Sequence, residues 1–441
     1  MNIAIRQYKR LFINIRMNIY KKLKQNCLKG RNRRLKGWHW HLKARHWLLI
    51  ALLLLVTLTK MNLNWGFIYT FVVYPHIASV LSHISGIFPF AVGDLFIALS
   101  IAWAILYPIY ELVFKRIAAK RAASLSDTVP RVASGKVVFG RVVEYLLWVY
   151  TWFYLAWGLN YSQPNVFLRM RMMPAQVSKE TLREFANRYV DTLNALSKGR
   201  FSSEERRGKS EESNSISELE ISQELAVSQE LKDRTSKMVF QGYQNLAKSQ
   251  QFMGINAPFN NHPCAKTMMF SPISSMAGVT GSMGPFFCEF TLNGNVLSPD
   301  YPATYAHEFA HLLGVANEGE ANFYSYLVCT ASPDRDMRFS GYYHILYYVI
   351  GNVDRILGVQ EGNALIRRIN PEIIALTLKE RKYWKKKRSK ALDAAQDFIF
   401  DLYLKGNKVQ GGRKSYSAVM TMILSWEEKN KKVKNEEFDS L

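Results

Sequence analysis

Residues 298–329 read SPDYPATYAHEFAHLLGVANEGEANFYSYLVC, and the rest of the chain is understood outward from this stretch. Ser298-Pro299-Asp300 is predicted to cap a helix, and Pro302 suits its first turn. The helix should run through Leu313, with Gly314 in the left-handed position that ends it. His307 and His311 are four residues apart, so both imidazoles leave one face on successive turns. That spacing can deliver two ring nitrogens to one tetrahedral zinc ion. Glu308 lies beside them, angled to take the proton of a zinc-activated water as it attacks a carbonyl. Phe309, Ala310, Leu312 and Leu313 bury most sides of the helix, so its polar groups need a partner, and a metal is the economical one.

Zinc needs a third protein ligand. Asn317 to Asn322 opens a second helix through Cys329, on which Glu318, Asn322, Ser325 and Cys329 form a polar or small stripe. Such a stripe lets two helices approach closely, which favours Glu318 as the ligand, with Glu320 as the alternative. Asn322 would then hold a ligand histidine from behind. Before the metal helix, Phe286–Val296 alternates Cys288, Phe290 and Leu292 with Glu289, Thr291 and Asn293, the pattern of a strand with one buried and one polar face. Residues 271–284 are rich in small side chains and read as a loop, either simply flexible or a flap over a cleft.

The formal charge of +23 is unevenly placed: residues 1–157 carry 22 Lys/Arg against 4 Asp/Glu. Fourteen of these basic residues fall in the first 45, which hold no acid. Such an excess beside apolar runs reads as membrane topology, and no nucleic-acid partner is expected. Trp47–Leu58, extended to Gly66, is long enough to cross a bilayer, as are Phe88–Phe114 and Val137–Gly158. Segment 67–87 is apolar enough to be an amphipathic or re-entrant piece and is left unassigned. The loop Lys115–Arg141 has seven basic residues and one acid, Asp127. Positive-inside placement then puts the N-terminus in the cytoplasm and everything after Asn160 on the outer face of the cell membrane. Asp94, Glu111 and Glu144 sit in or near the spans, close to the interfaces.

The expected organisation is a basic cytoplasmic tail (1–45), a membrane anchor of three transmembrane helices (46–160), and an α+β, mainly helical zincin-like domain outside (161–441). A solvated polar insertion is expected at about 197–237. The four cysteines form no CxxC pair, so a thiolate zinc site is not expected; Cys264 with Cys288 is a candidate disulfide, free thiols the alternative. Tyr342, Tyr343 and His344 are candidates to steady an oxyanion or, alternatively, a packed helix face. His262 reads as a loop histidine, and Lys379–Lys390 as a solvated basic face that can touch anionic lipid.

HExxH followed by Asn-Glu-x-x-x-Asn resembles the gluzincin branch of zinc metallopeptidases, which includes thermolysin-like and membrane-bound CaaX-processing enzymes. The resemblance implies Zn2+ held by His307, His311 and Glu318, with Glu308 as general base. It also implies that the strand Glu289–Asn293 is the edge strand that pairs with an extended peptide. Asn322 departs from the Asp of that branch, and only six residues separate His311 from Glu318. Gly314 is similar to the metzincin pattern, but Asn317 fills the place of its third ligand. The whole chain, with Trp157-Gly158-Leu159-Asn160-Tyr161, also resembles an uncharacterised bacterial membrane-anchored family. The expected activity is hydrolysis of peptide or protein substrates outside the cytoplasmic membrane, by an enzyme anchored in the lipid bilayer. An envelope scaffold with a structural metal, or a zinc hydrolase of non-peptide amides or esters, are the other readings.

Overall fold

The computed structural model describes residues 43–123, 132–200, 218–248, 254–258, 264–392, 394–396 and 416–439. Nearly all of the basic tail, residues 201–217 of the polar insertion, Cys27 and His262 lie outside the described residues. The chain divides into two units, residues 1–54 and 55–441.

Three helices are long and apolar enough to cross a membrane: α1 (Ala44–Met61), α2 (Leu63–Gly86) and α3 (Val92–Arg121). They mark a membrane protein, but they are not the three expected. The unassigned segment 67–87 is part of α2, a helix of 24 residues that continues through a π turn at Tyr69–Val73. The expected third crossing is α4 (Gly135–Ala156). It falls short in hydropathy because Lys136, Arg141 and Glu144 interrupt it and its end is a run of Trp and Tyr. Asp94, in the first turn of α3, accepts a hydrogen bond from the Met269 N–H at 2.9 Å, and Glu111 pairs with Lys115 at 2.7 Å.

The rest is mainly helical around one small sheet. In order come α5 (Lys179–Ser197), α6 (Gln229–Lys248), β1 (Lys266–Thr267), α7 (Ser271–Met276), β2 (Gly281–Gly284), β3 (Glu289–Leu292), α8 (Tyr301–Leu312), α9 (Glu318–Thr330), α10 (Arg335–His344), α11 (Leu346–Ile356), α12 (Pro371–Lys387) and α13 (Tyr416–Asp439). The strand order is β1-β3-β2, with β1 parallel and β2 antiparallel to β3. The strand expected at the edge is therefore the middle one. Its polar side is not solvated either: all four β3 residues are buried. Glu289 pairs with Lys266 at 2.7 Å, and the Thr291 hydroxyl donates to the Ser282 carbonyl at 3.2 Å. Residues 271–284 form α7 and β2 rather than a loop.

α8 is buried on every side except at His307. Asp300 occupies its N-cap position with helical backbone and no side-chain cap bond, so the expected capping role fails there. Gly314 has φ +95°, the left-handed stop the sequence implied. The carbonyls left over at that end are taken by side chains from elsewhere. Trp157 Nε1 donates to His311 O (2.9 Å), the Tyr74 hydroxyl to Leu312 O (2.7 Å), Asn256 Nδ2 to Leu313 O (2.9 Å) and Gln163 Nε2 to Gly314 O (2.7 Å).

α9 starts under Asn317, whose side chain accepts the Glu320 N–H at 3.1 Å. Glu320 itself is buried and turned to Arg169, with Nη2 to Oε2 at 2.6 Å, and its other oxygen accepts the Val166 N–H. Arg169 also donates to the carbonyls of Gly254 and Pro164. Cys264, Cys288 and Cys329 are free thiols, so the candidate disulfide does not form. Burial pushes the Cys288 thiol up to about 12, leaving it a neutral core residue.

Removing one partner of a buried, fully bonded ion pair leaves the other charge stranded. Arg169→Met should lower the unfolding free energy by about 3–5 kcal/mol, with Arg169→Met/Glu320→Leu recovering part of it. Denaturant titration of the detergent-solubilised protein measures both, and an unchanged midpoint in the single variant contradicts the assignment.

Candidate metal centre

Helix geometry brings His307 and His311 to one face of α8, with ring centroids 4.7 Å apart. α9 packs alongside and lays Glu318 across their tips. His307 Nε2 and His311 Nε2 are 3.1 Å apart, and Glu318 Oε2 lies 3.2 Å and 3.5 Å from them. Two ligands held at zinc bond lengths and a tetrahedral angle are about 3.3 Å apart, so this triangle has the size that one such ion spans. Among the described residues, these three form the one cluster of potential metal ligands. Glu320, the alternative third ligand, is committed to Arg169.

Both rings are oriented from behind. His307 Nδ1 donates to Asn322 Oδ1 at 2.9 Å, and His311 Nδ1 donates to the Val315 carbonyl at 2.6 Å. These bonds keep a proton on each Nδ1 and turn both Nε2 atoms to the common point, the orientation that ligand histidines require. Asn322 Nδ2 in turn donates to the Tyr348 hydroxyl at 3.1 Å, and His344 Nε2 lies 3.3 Å from Asn322 Oδ1.

Electrostatically, burial works against a charged His311 ring, but Glu318, Glu308 and the Val315 carbonyl outweigh it and raise its pKa to about 9. Partial burial likewise opposes charge on Glu318, yet the two imidazoles hold its carboxyl well below the usual range. Glu308 points to the same space, and burial raises its pKa above that of an ordinary carboxylate, partly offset by the histidines. Gly281 of β2 lies against the Glu308 carboxylate, where any side chain would collide.

These groups line a cleft of about 510 Å³. Its walls include Trp157 and Tyr161, Gly278 to Met283, and His344 and Tyr348. Of the three downstream oxyanion candidates, only His344 enters it. Tyr343 donates to Glu380 at 2.8 Å, and Tyr342 stacks with Tyr189 and Tyr326. Tyr348 was not singled out from the sequence, although it follows His344 by four residues and both side chains reach Asn322 across the break at Ile345. The basic stretch begins away from the cleft, with Lys379 paired to Glu224, but its end returns to the wall, where Arg388 lies against Gly278 and the Ser389 N–H donates to Met276 O at 2.9 Å. A larger cavity of about 880 Å³, beside α6 and β1, contains neither imidazole.

The profile of one family, described as protein of unknown function (DUF3810), matches residues 69–424. The chain belongs to the DUF3810 family. No curated protein and no solved structure matches it. The DUF3810 match takes in most of α2, all of α3 to α12 and α13 as far as Leu424, so it contains every residue of the cleft described above.

Because His311 is protonated in the metal-free protein at neutral pH, metal entry must displace a proton. Below about pH 6.5 the His311–Glu318 attraction stabilises the metal-free fold fully, and it is lost as pH rises through about 9. Titrating zinc calorimetrically at pH 7.5 in buffers of different ionisation enthalpy should show about one proton released per ion. Zero release contradicts the charged pair.

Proposed function

We propose that this DUF3810 protein is a membrane-anchored zinc metallopeptidase of gluzincin type, with His307, His311 and Glu318 as ligands and Glu308 as general base. The observation that carries the reading is the triangle of two Nε2 atoms and one carboxylate oxygen, with a buried carboxyl beside it. Bound there, Zn2+ lowers the pKa of a water and polarises the substrate carbonyl.

The chain's own residues then do the following. Glu308, with its raised pKa, accepts the proton of the attacking water and delivers it to the departing amine as the C–N bond breaks. His344 and Tyr348 stand in the cleft as the hydrogen-bond donors for the oxyanion. Asp300 Oδ1 lies 3.6 Å from His344 Nδ1. Asn322 positions His307.

Peptide is favoured over other amides by β2. Thr280 O accepts the Asn293 N–H at 2.8 Å, so alternate residues of β2 bond to β3 and the peptide groups of Gly281 and Met283 face the other way. That edge lines the cleft and suits strand addition by an extended substrate. β2 thus replaces the strand Glu289–Asn293 in that role. A structural metal usually has four protein ligands, and the cluster among the described residues supplies three. That count supports an open, catalytic position.

Three crossings by α1, α3 and α4 put the N-terminus and the basic 115–141 loop in the cytoplasm and the metal domain on the outer face.

Glu308→Gln should retain one zinc per chain by elemental analysis while cleavage of a peptide library falls at least about 100-fold. His307→Ala and Glu318→Ala should lose the metal. A folded wild-type protein that takes up no zinc would refute the reading. Asn322→Ala should keep the fold but bind zinc about 10–100-fold more weakly, read by competition with a chelator; unchanged affinity removes Asn322 from the positioning role.

A further inference from the structure

We infer that the cleft lies at the bilayer surface and takes the membrane-proximal segment of an anchored polypeptide, an inference that rests on the peptidase reading for its chemistry. Two independent features lead there. The first is α2. One face of it is engaged from end to end by the end of α4 and the domain that follows: Gly66 sits against Ser162, Tyr69 donates to Leu155 O of α4, Tyr74 to Leu312 O, and Ser85 O accepts from Lys266. A helix crossing the bilayer would carry that entire flank of the domain into hydrocarbon, including the Lys266–Glu289 pair and the polar end of α8.

The outward face of α2 is also wrong for a crossing. His76 and His83 are exposed on it, among Ile68, Val72, Val80 and Ile84. Ionisable side chains inside a membrane normally face the protein rather than lipid. A helix lying in the interface accommodates both kinds of residue, its apolar side chains in the acyl boundary and its polar ones among headgroups. With α2 in plane and joined to α1 and α3 at its ends, the metal helix is separated from lipid by about one helix diameter, on the order of 10 Å.

The second feature is the β2–β3 turn. β2 begins at Gly281 against Glu308 and ends at Gly284 beside Gly93, at the head of α3. The turn beyond it packs the half-buried Phe286 against membrane helices, 4.9 Å from Phe96 of α3, with its carbonyl held by Trp152 of α4 at 3.0 Å. Four strand residues span about 13 Å. A peptide paired with β2 over Glu308 therefore has one end at the membrane helices within a few residues of the scissile bond.

Depth measurement tests the placement without reference to activity. Spin labels on Ile68→Cys, Val72→Cys, Val80→Cys and Ile84→Cys, in the full chain in nanodiscs, should report one shallow depth by oxygen and nickel accessibility. A gradient passing through the bilayer midplane overturns the inference and leaves the peptidase reading intact. For the substrate, a randomised 20-residue peptide is presented to the zinc-loaded protein in liposomes, either free or joined through spacers of increasing length to a single transmembrane helix. The cut should stay at a fixed distance from the bilayer and move along the sequence as the spacer grows, with the anchored form cleaved at least 10-fold faster. Cuts fixed by sequence, or equal cleavage of the free peptide, overturn it; cleavage of neither form overturns the peptidase reading as well.

Discussion

The end of the metal helix is where membrane and chemistry are joined. Three successive carbonyls, from Leu312 to Gly314, would be orphaned where α8 stops, and each is bonded by a side chain from outside the helix, while Trp157 adds a second bond to His311 O beside that of the Gly314 N–H. Two of those donors, Tyr74 and Trp157, belong to α2 and to the end of α4. A buried carbonyl without a partner costs on the order of 1–3 kcal/mol, so the helix end and its donors are set together. Because His311 is part of this last turn, its ring is fixed by the same bonds that attach the domain to its apolar helices.

The same constraint accounts for the Trp157–Tyr161 motif. Trp157 bonds the metal helix and flanks His311 with ring centroids 6.3 Å apart. Asn160 Nδ2 donates to the Trp157 carbonyl at 2.8 Å, and its side-chain oxygen faces Gly314, where a Cβ would press on it and on the Tyr74 ring at 3.2 Å. A glycine is needed at 314 twice over, for its left-handed backbone and for this approach.

How much of this was legible in the sequence depended on whether the deciding contact was local. The two helices and the facing of His307, His311, Glu318 and Asn322 follow from 3.6-residue periodicity, and the structure brings those four side chains together. Glu320 differs from Glu318 only through Arg169, 151 residues earlier, which no local pattern reveals. The edge strand was missed because Gly281–Gly284 is four small or flexible residues with no alternation to read, whereas the alternating β3 looked like the half-solvated strand. α2 was ambiguous for a related reason: its buried face carries Tyr, Thr and Ser bonded to the domain, so hydropathy cannot tell a crossing from an in-plane helix.

The substitution of Asn at 322 for the Asp of similar sites has an electrostatic logic within this cleft. Under the proposed zinc reading, a divalent ion, Glu318 and an ionised Glu308 would sum to zero, which suits a pocket where burial already raises the Glu308 pKa. An acid at 322, hydrogen-bonded to His307 and near His344, would add a third negative charge to that space. It would raise Glu308 further. A neutral amide fixes the His307 ring through the same oxygen while leaving the charge balance, and with it the base, undisturbed.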